Sequence, residues 1–511
     1  MSTLTRRQIL AGAAGAAGLF ALDACSSTRT ASTAVTPTSA AVRDAEAARR
    51  GAGRRLVTAH LTARPATLDL GGPQVRSWAY GDQLPGPILR ARAGDLLRVT
   101  LDNQLPAPTS IHWHGIALRN DMDGVPGVTQ SPIAPGAGFT FEFTVPDPGT
   151  YFYHPHVGVQ LDRGLYGALL VDDPQDAGRY DADWTVVLDD WVDGTGRSPD
   201  DILAAFIKSG SGNGMAGMGG VGGMGDASGT GSSPGPGMSG MGETMSSAVL
   251  GGAGDVVYPH YLANGRVPAS PQTFSAKPAQ RIRLRLINAG SDTAFRVALG
   301  GHRLTITHSD GFPVVPATTE ALIIGMGERF DVEVTLSDGV FPLVAAAEGK
   351  GGQALALIRT GSGRPPAASV RPAELDGQVL LGTQLRASDA ARLVEKSVDR
   401  RHDLALGGSM RGYRWTINGK TFSESRPLTI SQGQRVRLRF FNHTAMFHPM
   451  HLHGHTFAVA GGGPRKDTVI VRPMQSLDVD FDALNPGQWV SHCHNIYHAE
   501  SGMMVTLSYR H

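Results

Sequence analysis

The chain is 511 residues long, with 46 Lys and Arg against 45 Asp and Glu and only 18% charged residues. So even a balance leaves no field to draw nucleic acid or an anionic membrane surface as a main partner, and the length provides for about two to four domains with ample core. The 66 Gly and 32 Pro suit many short strands separated by turns, so the body is expected to be all-β.

The start reads as an address. Thr5-Arg6-Arg7-Gln8-Ile9-Leu10, followed by an Ala/Gly apolar run to Leu22, resembles a twin-arginine export signal and is too short and Gly-rich for a membrane span. Leu22-Asp23-Ala24-Cys25 reads as the end of a bacterial lipoprotein signal, although Asp23 is unusual there. Residues 1–25 are therefore assigned to export into the cell envelope or periplasm, with a lipid anchor at Cys25. Residues 26–54, rich in Ala, Ser, Thr and Arg, are expected to be a flexible tether.

The first folded unit is placed at 55–173, ending where Asp172-Asp173-Pro174 breaks the strand pattern. It holds His112-Trp113-His114, His154-Pro155-His156 and, before Gly124, Asp123. The second unit is placed at 180–365, opening on Thr185–Trp191 as a buried strand and closing before Gly361-Ser-Gly-Arg-Pro-Pro366. Its insertion, 209–247, is Gly/Ser-rich and expected to be a disordered loop. It carries Met215, Met218, Met224, Met238, Met241 and Met245, six of the chain's 15 Met, and thioethers are soft ligands that prefer Cu(I). The third unit, 370–511, holds His448-Pro449-Met450-His451-Leu452-His453, His492-Cys493-His494, His498 and Met503.

The units repeat. His112 and His114 follow Asn103 at the distance at which His451 and His453 follow Asn442, and Pro148–His156 matches Pro486–His494. In that match Pro155 stands for Cys493, Gln160 for His498 and Leu165 for Met503. A weaker copy, Arg281–Asn288, is followed by Phe295 and Val297 rather than histidines, so the middle unit reads as a spacer without metal.

Imidazole suits copper and zinc, while thiolate and thioether select copper, so this donor set points to copper. On a strand, His492 and His494 leave one face and Cys493 the other, so one tripeptide touches two metal centres. Cys493 would bind a mononuclear copper with His448, His498 and, weakly, Met503, the ligand set of a blue electron-transfer site. His455 lacks a counterpart in the first repeat and is read as a packing residue.

All four clusters resemble those of the multicopper oxidases, the family of laccases, cuprous oxidases and ferroxidases, over about Leu56 to Arg510. The resemblance implies three cupredoxin-like Greek-key β-sandwich domains and four copper ions, one type 1, one type 2 and two type 3. Carried over by position, His112 and His451 would hold the type 2 copper. His114, His154 and His494 would hold one type 3 copper, and His156, His453 and His492 the other. Asp123 stands where family members carry an acidic residue near the cluster, a candidate proton shuttle. Glu500 is a second candidate, although Ala499 follows His498 where relatives often carry Glu.

The implied activity is one-electron oxidation of a substrate coupled to reduction of dioxygen to water, by a monomer. Met503 implies a moderate potential, which leaves Cu(I), Fe(II) and electron-rich phenols as donors. Cu(I), with copper tolerance as the role, is favoured by the methionines, and a laccase-type phenol oxidase or a ferroxidase is the alternative. A copper-storing protein without turnover would show degraded ligands, and none is missing.

Overall fold

The computed structural model describes residues 33–50, 55–176, 179–211 and 245–511. The export signal, Cys25 and five of the six methionines of the Gly/Ser-rich insertion lie outside the described residues. Ala34–His511 forms one compact unit of three two-sheet β-sandwiches in chain order, each built on the same plan. In each, the opening strand runs parallel to a later one in the same sheet: Leu56–Asp69 beside Leu96–Asn103, Ala182–Trp191 beside Arg281–Asn288, and Arg400–Ser409 beside Arg435–Asn442. A parallel pair needs a crossover, which here takes the chain to the second sheet and back in the Greek-key manner.

The repeated asparagine explains why the copies superimpose in sequence. Asn103 donates to the Ala107 and Ile133 carbonyls at 3.0 and 2.8 Å. Asn442 does the same to Met446 and Val471 at 2.7 and 3.0 Å, and Asn288 to Thr293 and Ile324 at 2.9 and 3.0 Å. Each satisfies buried carbonyls where the chain leaves its first sheet.

Three expectations change. The tether is in part folded: Ala40–Arg49 is a helix whose Glu46, 2% exposed, accepts hydrogen bonds from the Thr144 amide and hydroxyl. Just before it, the Val35 amide donates to the Tyr509 carbonyl at 2.9 Å, so side-chain and backbone bonds to two sandwiches override a coil-like composition. The insertion is narrower than 209–247, because a helix runs from Pro199 to Ser211 and strand structure resumes at Ser246–Ser247. The 365–370 boundary moves too, since Val379–Leu381 pairs with Ala321–Ile324 and completes a sheet of the second sandwich.

Candidate metal centre

Strand alternation builds the centre. His112–His114 pairs with Gly149–His154, opposing His112 to His154, and Trp113 points the other way into a core with Phe141, Phe143 and Tyr153. In the third sandwich His448–Leu452 pairs with Gln488–Cys493, opposing His451 to His492 and Met450 to Cys493. The two strand pairs meet across the domain interface with approximate twofold symmetry. His112 stacks on His453 at 3.7 Å between ring centroids, and His114 on His451 at 3.8 Å.

The outward histidines form three triads whose ligand atoms lie within 4.8 Å of one another: His112/His114/His451, His114/His154/His494 and His156/His453/His492. In several of the rings one nitrogen is tied down. His154 Nδ1 donates to the Pro155 carbonyl at 2.9 Å, His492 Nδ1 to Cys493 at 2.9 Å and His451 Nδ1 to Asp467 at 2.9 Å. Left without a protein partner are His112 Nε2, His114 Nδ1, His154 Nε2, His451 Nε2 and both nitrogens of His494, all buried. Buried polar atoms are normally satisfied, so these orphans converging on one interface fit bound metal. Burial and neighbouring imidazoles push His154, His156, His453 and His494 well below the ordinary histidine range, and burial brings His492 down to about 3. The rings are therefore neutral, the form in which imidazole ligates metal.

Inside the third sandwich, Cys493 Sγ lies 3.6 Å from His448 Nδ1 and 3.7 Å from His498 Nδ1, and the two nitrogens are 3.3 Å apart. Met503 is fully buried, its amide donating to the His498 carbonyl at 2.9 Å and its carbonyl accepting from the Cys493 amide at 3.0 Å. Burial pushes the Cys493 thiol up, so the thiolate form needs a cation beside it. The tripeptide thus reaches one group through its sulfur and the other through its two imidazoles.

Of the two acids, Asp123 enters the centre. It is fully buried, with Oδ1 accepting from His112 at 3.1 Å and Oδ2 from His453 at 3.0 Å. Glu500 touches no cluster imidazole; it opens onto a cavity of about 760 Å³ whose wall includes His156, Val125, Tyr413 and Met504. Desolvation by the surrounding protein pushes its carboxyl up to about 7. His455 is held by the His453 carbonyl and the Tyr509 hydroxyl, at 3.0 and 2.6 Å, as a packing residue would be.

Sequence reading missed the groups that hold the ligands from other domains. Asp467 accepts from His114 Nε2 at 3.1 Å and from both Nη atoms of Arg329 at 2.7 and 2.6 Å. Burial opposes its charge, but Arg329 and the two imidazoles hold the carboxyl well below the usual range. Asp255 accepts from His498 Nε2 at 2.9 Å and from the Tyr413 hydroxyl at 2.6 Å. Arg329 and Asp255 belong to the middle unit, which is therefore more than a spacer. Such partners are far away in sequence and carry no motif; the charges Lys466-Asp467 directly before the apolar strand Thr468–Val471 are the one hint the sequence offers.

Comparison with known proteins gives a consistent result. The multicopper oxidase family profiles match residues 62–176, 233–363 and 397–511. The chain is 50% identical over 506 residues to the multicopper oxidase MmcO of Mycobacterium tuberculosis, covering 97% of this chain and 95% of that one. It is 29% identical to a copper resistance protein A homolog of Pseudomonas syringae pv. tomato, covering 82% and 87%. Among solved structures, a multi-copper oxidase from Pseudomonas thermotolerans is similar at 26% identity with a TM-score of 0.67, covering 89% of this chain and 100% of that one.

Proposed function

Because this chain belongs to the multicopper oxidase family, we propose that its physiological reductant is Cu(I) and its role copper tolerance. Four copper ions, when bound, supply one-electron oxidation of the reductant and four-electron reduction of dioxygen to water. His448, Cys493, His498 and Met503 hold the type 1 ion in this reading, and His112 and His451 the type 2 ion. His114, His154 and His494 hold one type 3 ion, and His156, His453 and His492 the other. Cys493 is covalently continuous with His492 and His494, so electrons have a short bonded route between the two groups. Asp123 orients His112 and His453 and is placed to hold a proton beside them, while Glu500 can store a proton on the wall of the cavity shared with His156.

The observation that carries the Cu(I) reading is the closed edge of His498. Its outward nitrogen, which a phenol would have to approach, is bonded to Asp255, and Tyr413 stacks on Phe206 of the 199–211 helix at 4.5 Å. An anionic carboxylate at that edge suits a small cation better than a bulky aromatic ring. Both described ends of the methionine-bearing segment support the same side: Phe206 lies on Tyr413, and the Gly252 amide donates to the Ala445 carbonyl at 2.8 Å, just before His448. A relative named for copper resistance supports this role.

The test replaces Met215, Met218, Met224, Met238, Met241 and Met245 by Ser and compares steady-state kinetics on Cu(I) and on a dimethoxyphenol. The apparent KM for Cu(I) should rise about tenfold, the equivalent of ~1.4 kcal/mol of lost binding, with the phenol unaffected or faster. Unchanged Cu(I) kinetics would make the laccase reading the better one. Export by the twin-arginine route and lipidation at Cys25 complete the proposal on sequence grounds, and intact mass of the mature protein from its native host decides the lipidation.

A further inference from the structure

The approximate twofold that relates the two His-x-His strands also relates two buried acids. Asp123 accepts from His112, in its own sandwich, through its main-chain carbonyl at 3.0 Å, and from His453, in the other, through its carboxylate at 3.0 Å. Asp467 accepts from His451, in its own sandwich, through its main-chain carbonyl at 2.9 Å, and from His114, in the other, through its carboxylate at 3.1 Å. Each acid therefore grips the first histidine of its own pair and the second histidine of its counterpart.

Their surroundings break the symmetry. Among the described residues, the ion-pair partners of Asp123 are imidazoles alone. Asp467 is clamped by the fork of Arg329, and neither side chain is exposed. Arg329 in turn donates from Nε to the Thr150 carbonyl of the first sandwich at 3.0 Å and from Nη1 to Gly327 at 3.1 Å. One guanidinium thus joins all three sandwiches. Beside it, Lys466 is buried against Asp310 and Glu328, both at 3.1 Å, and Asp310 accepts from the Asp467 and Thr468 amides at 3.2 and 3.1 Å.

The packing leaves no slack. A Cβ at Gly115, the residue after His114, would stand 2.5 Å from Arg329 Nη2 and 2.6 Å from Asp467 Oδ2. A Cβ at Gly327 would stand 2.8 Å from the His494 ring and 3.0 Å from the His114 ring, and both glycines have positive φ. His114 is also the ring whose Nδ1 rather than Nε2 is the orphan facing its triad, because Asp467 and Thr468 occupy Nε2 at 3.1 and 3.0 Å.

We propose that Asp467 is a positioning residue, locked by Arg329, which fixes the tautomer and rotation of His114 so that Nδ1 is the ligating atom. Through this pair the middle sandwich, which supplies no histidine to the triads among its described residues, sets the geometry of the type 2 and type 3 centre. A carboxylate hydrogen-bonded to a ligating imidazole orients the ring and raises its basicity, and a guanidinium fork holds that carboxylate in one plane as an ammonium does not. The proposal rests on the assignment of His114 and His451 as copper ligands.

The test is the double variant Arg329→Gln/Asp467→Asn in the copper-loaded full chain, which keeps polar side chains at both positions and removes both buried charges together, avoiding a lone unpaired one. Copper per chain, the type 2 electron paramagnetic resonance splitting and the near-ultraviolet band of the type 3 pair are read beside the visible type 1 band. The expected result is an unchanged type 1 band with altered type 2 and type 3 signals, and cluster affinity for copper lowered about 10- to 100-fold. Wild-type cluster signals and full copper in the double variant would overturn the proposal. If the double variant does not fold, Arg329→Lys decides: it keeps the charge and loses the fork, so an intermediate type 2 splitting supports positioning and a wild-type one refutes it. Absence of cluster signals in the unsubstituted protein would instead overturn the ligand assignment.

Discussion

The first and third sandwiches carry the same ligand-bearing strand pair, yet only the third has a metal pocket behind it. On the outward side the copies agree, with His112 opposed to His154 as His451 is to His492. On the inward side the first copy is filled by ordinary structure. Gln160, where the third has His498, donates to the Pro108 carbonyl at 2.7 Å and accepts from the Thr109 hydroxyl at 2.8 Å, and Leu165, where the third has Met503, is fully buried core. Pro155, where the third has Cys493, lacks the amide that Cys493 uses to bond Met503 at 3.0 Å. The two faces of a strand answer to different neighbours, so a duplicated unit can lose one site while the other is held by its partner domain.

The most severe way to break the comparison is to remove the one atom that only the third copy has. Cys493→Ser exchanges the thiolate for a hydroxyl of similar size, so the mononuclear site should lose its intense blue band and turnover should be abolished. The histidines of the interface keep their carboxylate and carbonyl partners and should retain most of their copper. Visible absorption and metal analysis on one sample check both halves. A blue Cys493→Ser protein would mean that the inward face of the third copy is not the type 1 site.

A milder perturbation sharpens the outward half. Asp123 joins a histidine of each copy, so Asp123→Asn retains an acceptor for one ring and offers an amide to the other. Oxygen reduction should slow by about 10²-fold, the lower range for loss of a placed proton-transfer group. Anaerobic bleaching of the type 1 band by substrate should change far less, since that step takes place on the other face of the third copy. Equal slowing of both steps, measured by stopped flow, would make Asp123 a structural tie alone.

Much of this is legible in the sequence alone. Alternation in His492-Cys493-His494 placed the two metal groups on opposite faces, and the Asn103/Asn442 register paired the histidines, because both are local consequences of strand geometry. What escaped was everything held from a distance. Asp467 lies 353 residues from His114 and Arg329 138 residues from Asp467, and no periodicity links them. The order of residues 33–50 escaped for a related reason: its composition is coil-like, and docking depends on Glu46 finding Thr144 98 residues away. Sequence pattern reports the face a side chain takes, while the charge that meets it there is a property of the assembled fold.

The smallest effect is expected at a pair of acids that occupy the same place in the two copies. Glu500 follows His492 at the distance at which Asp162 follows His154, but Asp162 is buried and accepts from the hydroxyls of Tyr497 at 2.6 Å and Tyr258 at 3.1 Å, whereas Glu500 opens onto the cavity beside His156. Burial raises the Asp162 carboxyl well above the ordinary range, with the nearby Asp190 charge adding to it, while Glu500, solvent-exposed on the cavity wall, is raised to about 7 by desolvation from the protein packed around it. A raised acid is neutral below its folded pKa and charged above it, so the proton that Glu500 can give is present below pH 7 and lost as pH rises through it. Oxygen reduction in the unsubstituted protein should therefore decline above about pH 7. Glu500→Gln should lower the rate on the acid side by at most about tenfold, because Glu500 bonds to no cluster imidazole and direct general acids contribute 10²–10⁴. It should also flatten the decline above neutrality, which a packing defect would not do. A Glu500→Gln protein with the original pH profile would leave the cavity acid without a part in proton supply and shift that role to Asp123.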